Sequence, residues 1–219
     1  MKYDRVWDDI LSLEDHIITY MLYKEGKTVE AISKIRRMSK NDVERDIIKS
    51  KRELLINSNQ KEDLLLKVIS MPKKERIQYI SDMNIEIKNQ LSEDIYKRYI
   101  KFKNPEDRMI LIWLIGELKD EKLIPILKME LSSKITNYRR LSCSALGKIS
   151  RKETKDWVEE MLEDSNPQVR QYAAKALTYI GDEKTVEKLE QLYKFDEKEY
   201  VKRAAKISIE EIRKRNSSK

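Results

Sequence analysis

Apolar positions in this chain recur at helical spacing, in runs that restart at a fixed interval. Arg108 is followed by Leu111, Ile112, Ile115 and Leu118. Arg139 is followed in the same places by Ser142, Cys143, Leu146 and Ile149, and Arg170 by Ala173, Ala174, Leu177 and Ile180. The arginines are 31 residues apart both times, and a fourth copy starts 32 further on at Lys202, with Ala205, Ile209 and Ile212. A fixed period in this range is the signature of stacked helical repeats. The pattern predicts first helices at 105–118, 135–149, 166–180 and 197–214, and second helices at 121–132, 152–163 and 183–194. Asn104-Pro105 and Asn166-Pro167 place an N-cap before a proline at the first helical position, where its missing N–H costs nothing. The fold class is therefore all-α, with an N-terminal helical bundle followed by a short α-solenoid.

Upstream of the repeats, residues 3–12 predict a short helix facing inward through Val6, Trp7, Ile10 and Leu11. Residues 13–25 predict a second, with Ile17, Tyr20 and Met21 inward, ended by Gly26. Thr28 is an N-cap candidate for a helix burying Val29, Ile32 and Ile35, and Ser39 with Asp42 is a capping pair for a helix over 40–56 that turns Val43 and Ile47 inward. The polar run Asn57 to Gln60 marks a boundary, and 61–70 predicts an apolar helix stopped at Met71-Pro72. Counting back 31 from Arg108 reaches Ile77, so 73–102 reads as a degenerate first repeat, in which Tyr96 and Ile100 match the core positions Leu127 and Leu131. Terminal repeats depart from consensus because one face meets something other than a repeat. The domains read as 1–57, a helix-turn-helix bundle; 61–102, connecting helices and the degenerate repeat; and 103–215, the repeat array.

The pattern Arg-x-x-small-small-x-x-Leu/Ile-x-x-Ile, followed by Gly181-Asp182 before a second helix, resembles the HEAT repeats, in the short form named after phycobilisome lyases. That resemblance implies a docking surface for a protein partner. The three arginines are expected to pair with acids or turn carbonyls. The turn aspartate is present at Asp120 and Asp182 but is Arg151 in the middle copy, which is expected to interrupt any regular Asp–Arg ladder there.

Residues 28–48 resemble a helix-turn-helix of the sigma-region-4 and LuxR type, with Thr28, Ile32, Met38, Ser39, Val43 and Ile47 on its framework positions. Ser33 stands where alanine is usual, and Arg37 where glycine often makes the turn. The resemblance implies that the helix after Ser39 enters a major groove, with Lys40, Asn41, Glu44 and Arg45 toward base edges and Arg36, Arg37, Lys49 and Arg52 toward phosphates. Charge agrees with this placement. Seven basic residues and three acids lie between Arg36 and Arg52, whereas residues 1–20 carry only Lys2 and Arg5 against five acids.

Composition narrows the function further. The formal charge is +7, modest for 219 residues, so its location matters more than its size. No run of about 18 apolar residues exists to span a membrane, and a single cysteine, Cys143, leaves no disulfide partner within the chain; together these point to the cytoplasm. His16 is the only histidine, so a histidine metal site or a Ser-His-Asp triad has little to work with, and the reading is of a surface or half-buried side chain. Neither a GxGxxG nor a P-loop pattern occurs, and no cofactor, metal or catalytic residue is expected. Trp113 and Trp157 read as packing residues. DNA glycosylases built from HEAT-like repeats are the one enzyme class to weigh, but the second helices here sum to a charge of −3, the wrong sign for a groove that follows phosphates. The leading reading is a non-enzymatic regulator or adaptor binding DNA through its helix-turn-helix and a protein through its repeats. The alternative is a protein-interaction scaffold whose N-terminal bundle only caps the array.

Overall fold

Helices account for all the regular structure described. The computed structural model describes residues 13–57, with side chains as far as Glu53, and 63–217. The helix expected at 3–12 and the polar boundary at 58–60 lie outside the described residues. Among those described there are thirteen α-helices and no strand. The chain forms two compact units, residues 1–110 and 111–219, with the division inside one helix.

In the first unit, α1 (Asp15–Lys24), α2 (Val29–Arg36) and α3 (Lys40–Asn57) surround a core of Tyr23, Val29, Ile32, Val43 and Ile47. Gly26, at φ 87°, ends the α1 segment as its sequence predicts. The inward face of α1 differs from the expectation. His16, Thr19 and Tyr23 are buried, while Ile17, Tyr20 and Met21 are only half-buried. The reason is a set of polar anchors. Thr19 donates to Asp46 at 3.0 Å, Ser50 donates to the His16 carbonyl at 2.8 Å, and His16 Nε2 lies 2.8 Å from Glu53. Ile35, expected inward, is 56% exposed, because α2 has only two turns and its apolar face is used up by Val29 and Ile32.

α4 (Leu64–Ser70), α5 (Lys73–Asp82) and α6 (Ile85–Arg98), with a 3₁₀ turn at Tyr99–Lys101, complete the unit up to the start of α7 (Pro105–Leu118). Arg76 is buried and donates to the carbonyls of Val68, Ile69 and Met71, closing the C-terminal end of α4. The expected repeat register fails over this stretch. Ile80, which the same count places in the core, is buried, but beyond Asn84 Tyr96 and Ile100 are 61% and 66% exposed, and the buried apolar residues there are Leu91, Ile95 and Tyr99. The break lies at Asn84, whose side chain accepts the Ile87 N–H at 2.9 Å and starts a new helix where the later repeats continue one.

The second unit contains the remainder of α7, α8 (Ile124–Leu131), α9 (Thr136–Ile149), α10 (Lys155–Glu160), α11 (Pro167–Ile180), α12 (Glu183–Phe195) and α13 (Glu199–Ser217). First helices match their predicted bounds within three residues. The second helices expected at 121–132 and 152–163 are shorter than predicted, because 121–123, 152–154 and 161–163 wind as 3₁₀ turns, whereas that at 183–194 agrees with α12 to one residue. Cys143 is buried in α9, and burial pushes its thiol up to about 12, so it packs as a small hydrophobe.

Successive first helices approach closely through small residues. A Cβ on Gly116 would meet the Ala145 Cα at 2.9 Å, and one on Gly147 would meet the Ala176 Cα at 2.8 Å. The two contacts are one period apart. Replacing Gly147 with alanine adds up to about 1 kcal/mol of helix propensity but forces two backbones apart, an overpacking cost of about 1–3 kcal/mol. The expected result is a lower urea midpoint for Gly147→Ala and a larger fall for Gly147→Val. An alanine variant as stable as the unmodified protein would show that the helices separate freely.

The arginines are structural, as their spacing predicts. Arg108, Arg139 and Arg170 each donate to the carbonyl six residues earlier, on Phe102, Ser133 and Asp164. Arg139 also binds Asp164 (2.6 and 3.0 Å), and Arg170 binds Asp196 (2.6 and 3.2 Å). The acids are therefore not the turn aspartates. Asp120 and Asp182 are N-caps, accepting from Lys122 and Thr185, so Arg151 interrupts nothing.

Burial raises the Asp164 carboxyl, but the Arg139 hydrogen bonds and the Asn166 N–H outweigh that and hold it below the usual carboxylate range. A carboxyl depressed on folding stabilises the fold above its ordinary value, near pH 4, and the contribution is lost as pH falls through the depressed one. Asp164→Asn should cost about 1.5–3 kcal/mol at neutral pH. Its melting temperature should converge with that of the unmodified protein in acid; a gap that persists there would assign the loss to packing instead.

Candidate nucleic-acid interface

The α2–turn–α3 segment is built locally. Thr28 accepts the Ala31 N–H at 3.2 Å, and Ser39 accepts the Asp42 N–H at 3.1 Å, so each helix starts on a side-chain cap. Between them the chain turns at Arg37, which takes the left-handed conformation at φ 53° and ψ 42°. An L-residue there costs about 1–2 kcal/mol. The turn is held by the Met38 N–H on the Ser33 carbonyl (3.0 Å) and by Ser33 Oγ donating to the Met38 carbonyl (2.6 Å). Arginine thus occupies the turn position where glycine is common, and its side chain is exposed.

α3 buries Val43, Ile47, Ser50 and Lys51 and exposes the opposite side. Of the residues expected to contact DNA, Arg37, Lys40, Asn41, Glu44, Arg45, Lys49 and Arg52 are all exposed. Arg37 and Arg52 make no ion pair among the described residues. Lys40 lies 3.8 Å from Glu30, Arg45 pairs with Asp42, and Lys49 lies 3.5 Å from Glu14 and 3.8 Å from Glu53. Arg36 is placed differently. Its guanidinium binds the Asp15 carboxylate and carbonyl, each at 2.6 Å, and Thr19 at 3.0 Å, leaving the side chain 15% exposed. It ties α2 to α1.

Lys51, one of the seven cations of the local basic excess, points inward. Its Nζ lies 2.8 Å from Asp107, whose carboxylate also accepts the Tyr23 hydroxyl at 2.7 Å. Burial and then Asp107 push the Tyr23 phenol far above its usual range, so it stays a neutral donor. Next to this cluster, Glu106 accepts the Val29 N–H at 3.0 Å, and Asn104 donates to the Tyr23 carbonyl at 2.9 Å. The first turn of α7 thereby fixes both ends of the α1–α2 connection. The sequence holds one signal for this: Val43, Ile47 and Lys51 share a four-residue spacing, which places Lys51 on the buried stripe.

Residues 130–210 match the family of HEAT repeats. Over this segment the chain is similar to HEAT repeats, in keeping with its all-helical repeat fold. The match suggests a protein-interaction or scaffold role, and the repeat helices α9 to α13 fall within or across it. No curated protein matches the chain. Among the described residues no helix is long and apolar enough to cross a membrane, and no cluster of His, Cys, Asp and Glu is placed to hold a metal.

Proposed function

We propose that the protein is a non-enzymatic DNA-binding regulator or adaptor. Residues 1–57 form the DNA-binding head, 61–102 the connection, and 103–215 the array that docks a protein partner. The observation that carries this reading is the exposed face of α3 behind a tight Arg37 turn. There Lys40, Asn41, Glu44 and Arg45 project from the N-terminal half of the helix, with Arg37, Lys49 and Arg52 around them. In a helix-turn-helix those first turns of the second helix meet base edges, and flanking cations meet phosphates. Arg36 takes no part, since Asp15 and Thr19 hold it.

The scaffold reading is favoured by one observation, that Lys40, Arg45 and Lys49 each lie beside an acid. Salt separates the two readings. Binding that releases counterions from phosphates weakens with a log–log slope of about −0.9 per phosphate contacted. Titration of a labelled mixed-sequence duplex with the full chain at several salt concentrations should give a steep negative slope. No association at low ionic strength would leave the scaffold.

A further inference from the structure

The charge of the HEAT array is divided between its two helix layers. α9 and α11 carry five basic residues and no acid. α13 carries six basic residues against three acids. In the second-helix layer, 152–163 has two lysines against five acids, and α12 has three of each sign.

Several of the first-layer cations are engaged inside the unit. Arg139 and Arg170 hold loop carboxylates, Arg213 pairs with Glu190, and Arg215 caps the carbonyl end of α11. Arg140, Lys175, Arg203 and Lys206 are different. None has an ion-pair partner among the described residues. Lys175, Arg203 and Lys206 are exposed, and the Arg140 Nε is buried without a hydrogen-bond partner. The repeat period places them in rows. Arg140, Tyr172 and Arg203 are 32 and 31 residues apart, and Lys175 and Lys206 are 31 apart. Tyr172 lies between two of the cations, with the Arg140 guanidinium 5.0 Å and the Lys175 ammonium 5.2 Å from its ring centre. That contact holds their stems in place. Tyr179, one turn beyond Lys175, is 62% exposed.

We propose that this face of the first-helix layer, carried by Arg140, Tyr172, Lys175, Arg203 and Lys206, binds the phosphate backbone of duplex nucleic acid without reading sequence. The charge sign selects a polyanion. The composition selects nucleic acid over an acidic protein: protein interfaces have an apolar core depleted in lysine, whereas nucleic-acid interfaces are more polar and strongly positive. Tyrosine hydroxyls and arginine forks are phosphate partners, and Ile207 is the single large aliphatic side chain exposed on these three helices. The inference does not depend on α3. It also reverses the expectation drawn from the second helices, whose acidity excludes phosphates from their own face only.

The test uses the full chain and a labelled mixed-sequence duplex. Neutral exchange of the three exposed cations, Lys175→Gln/Arg203→Gln/Lys206→Gln, should change melting little, because no ion pair is lost and the one contact given up is that of Lys175 with the Tyr172 ring. It should lower the magnitude of the salt slope by about 2.7, about 0.9 for each phosphate no longer neutralised. The same reduction should appear in a chain already carrying Lys40→Glu/Arg45→Glu, which separates this face from the α3 reading. If the triple variant keeps the slope and affinity of its parent in both backgrounds, the proposal is overturned. It is equally overturned if polyglutamate or phosphatidylserine vesicles bind through these residues and duplex does not.

Discussion

Asp107→Ala is expected to be the most damaging single substitution in the first unit. The Asp107 side chain is 10% exposed, and its carboxylate accepts from both Lys51 and Tyr23. Removing it leaves a buried ammonium and a buried phenol without their acceptor. Breaking one side of a buried ion pair costs about 3–5 kcal/mol, most of it the uncompensated charge. It also removes an acid from the first turn of α7, where the helix dipole favours one. Since whole domains are stable by about 5–15 kcal/mol, the unit should melt early and become sensitive to protease. Replacing both charges, as Lys51→Met/Asp107→Leu, removes the charge and its need together, so most of the stability should return. If the double variant is as unstable as Asp107→Ala, the cost lies in packing around α7 and the ion pair is incidental.

Lys40→Glu/Arg45→Glu is expected to abolish duplex binding by α3 with little change in melting. Both side chains are largely exposed, at 61% and 74%, and lie away from Val43 and Ile47. Their present partners, Glu30 and Asp42, are surface pairs worth at most about 1 kcal/mol each. The reversal changes the local charge by four in a cluster where Glu44 and Asp42 already oppose the cations. One base-reading side chain is worth only about 1–3 kcal/mol of discrimination, so a single change would relax specificity and leave binding. If the double variant shifts only sequence-independent affinity, and in step with the first-layer variant, α3 is not a reading helix.

The repeats are legible in the sequence because their cause is local and periodic. Helix bounds at 105–118 agree with α7, and those at 166–180 agree with α11 to one residue. The caps at Thr28 and Ser39 are legible for the same reason, a short side chain three residues before the N–H it accepts. What the sequence hides depends on long-range pairing. Lys51 reads as one more surface cation until Asp107, 56 residues away, is beside it. His16 reads as a surface or half-buried side chain, and it is buried where Glu53 and Ser50 enclose it. The degenerate repeat misleads at Tyr96 and Ile100 because counting by 31 assumes an unbroken first helix, and the Asn84 cap breaks it. The acids of the arginine ladder are hidden because the aspartate that recurs, at Asp120 and Asp182, stands in the turn before a second helix, while Asp164 and Asp196 stand after one.

Asp164 serves two neighbours at once. Its carboxylate holds Arg139, and its carbonyl accepts from Arg170, so a single loop residue joins consecutive repeats. Each arginine still finds its carbonyl six positions back, whichever copy it belongs to. A segment cut just after Arg139 and rejoined one period later, just after Arg170, therefore keeps both a carbonyl and a carboxylate for the joined arginine. Recombination between these two copies would lengthen or shorten the array by a whole unit without a mismatched seam. The number of repeats is in this sense open to change, while the geometry of each junction is not.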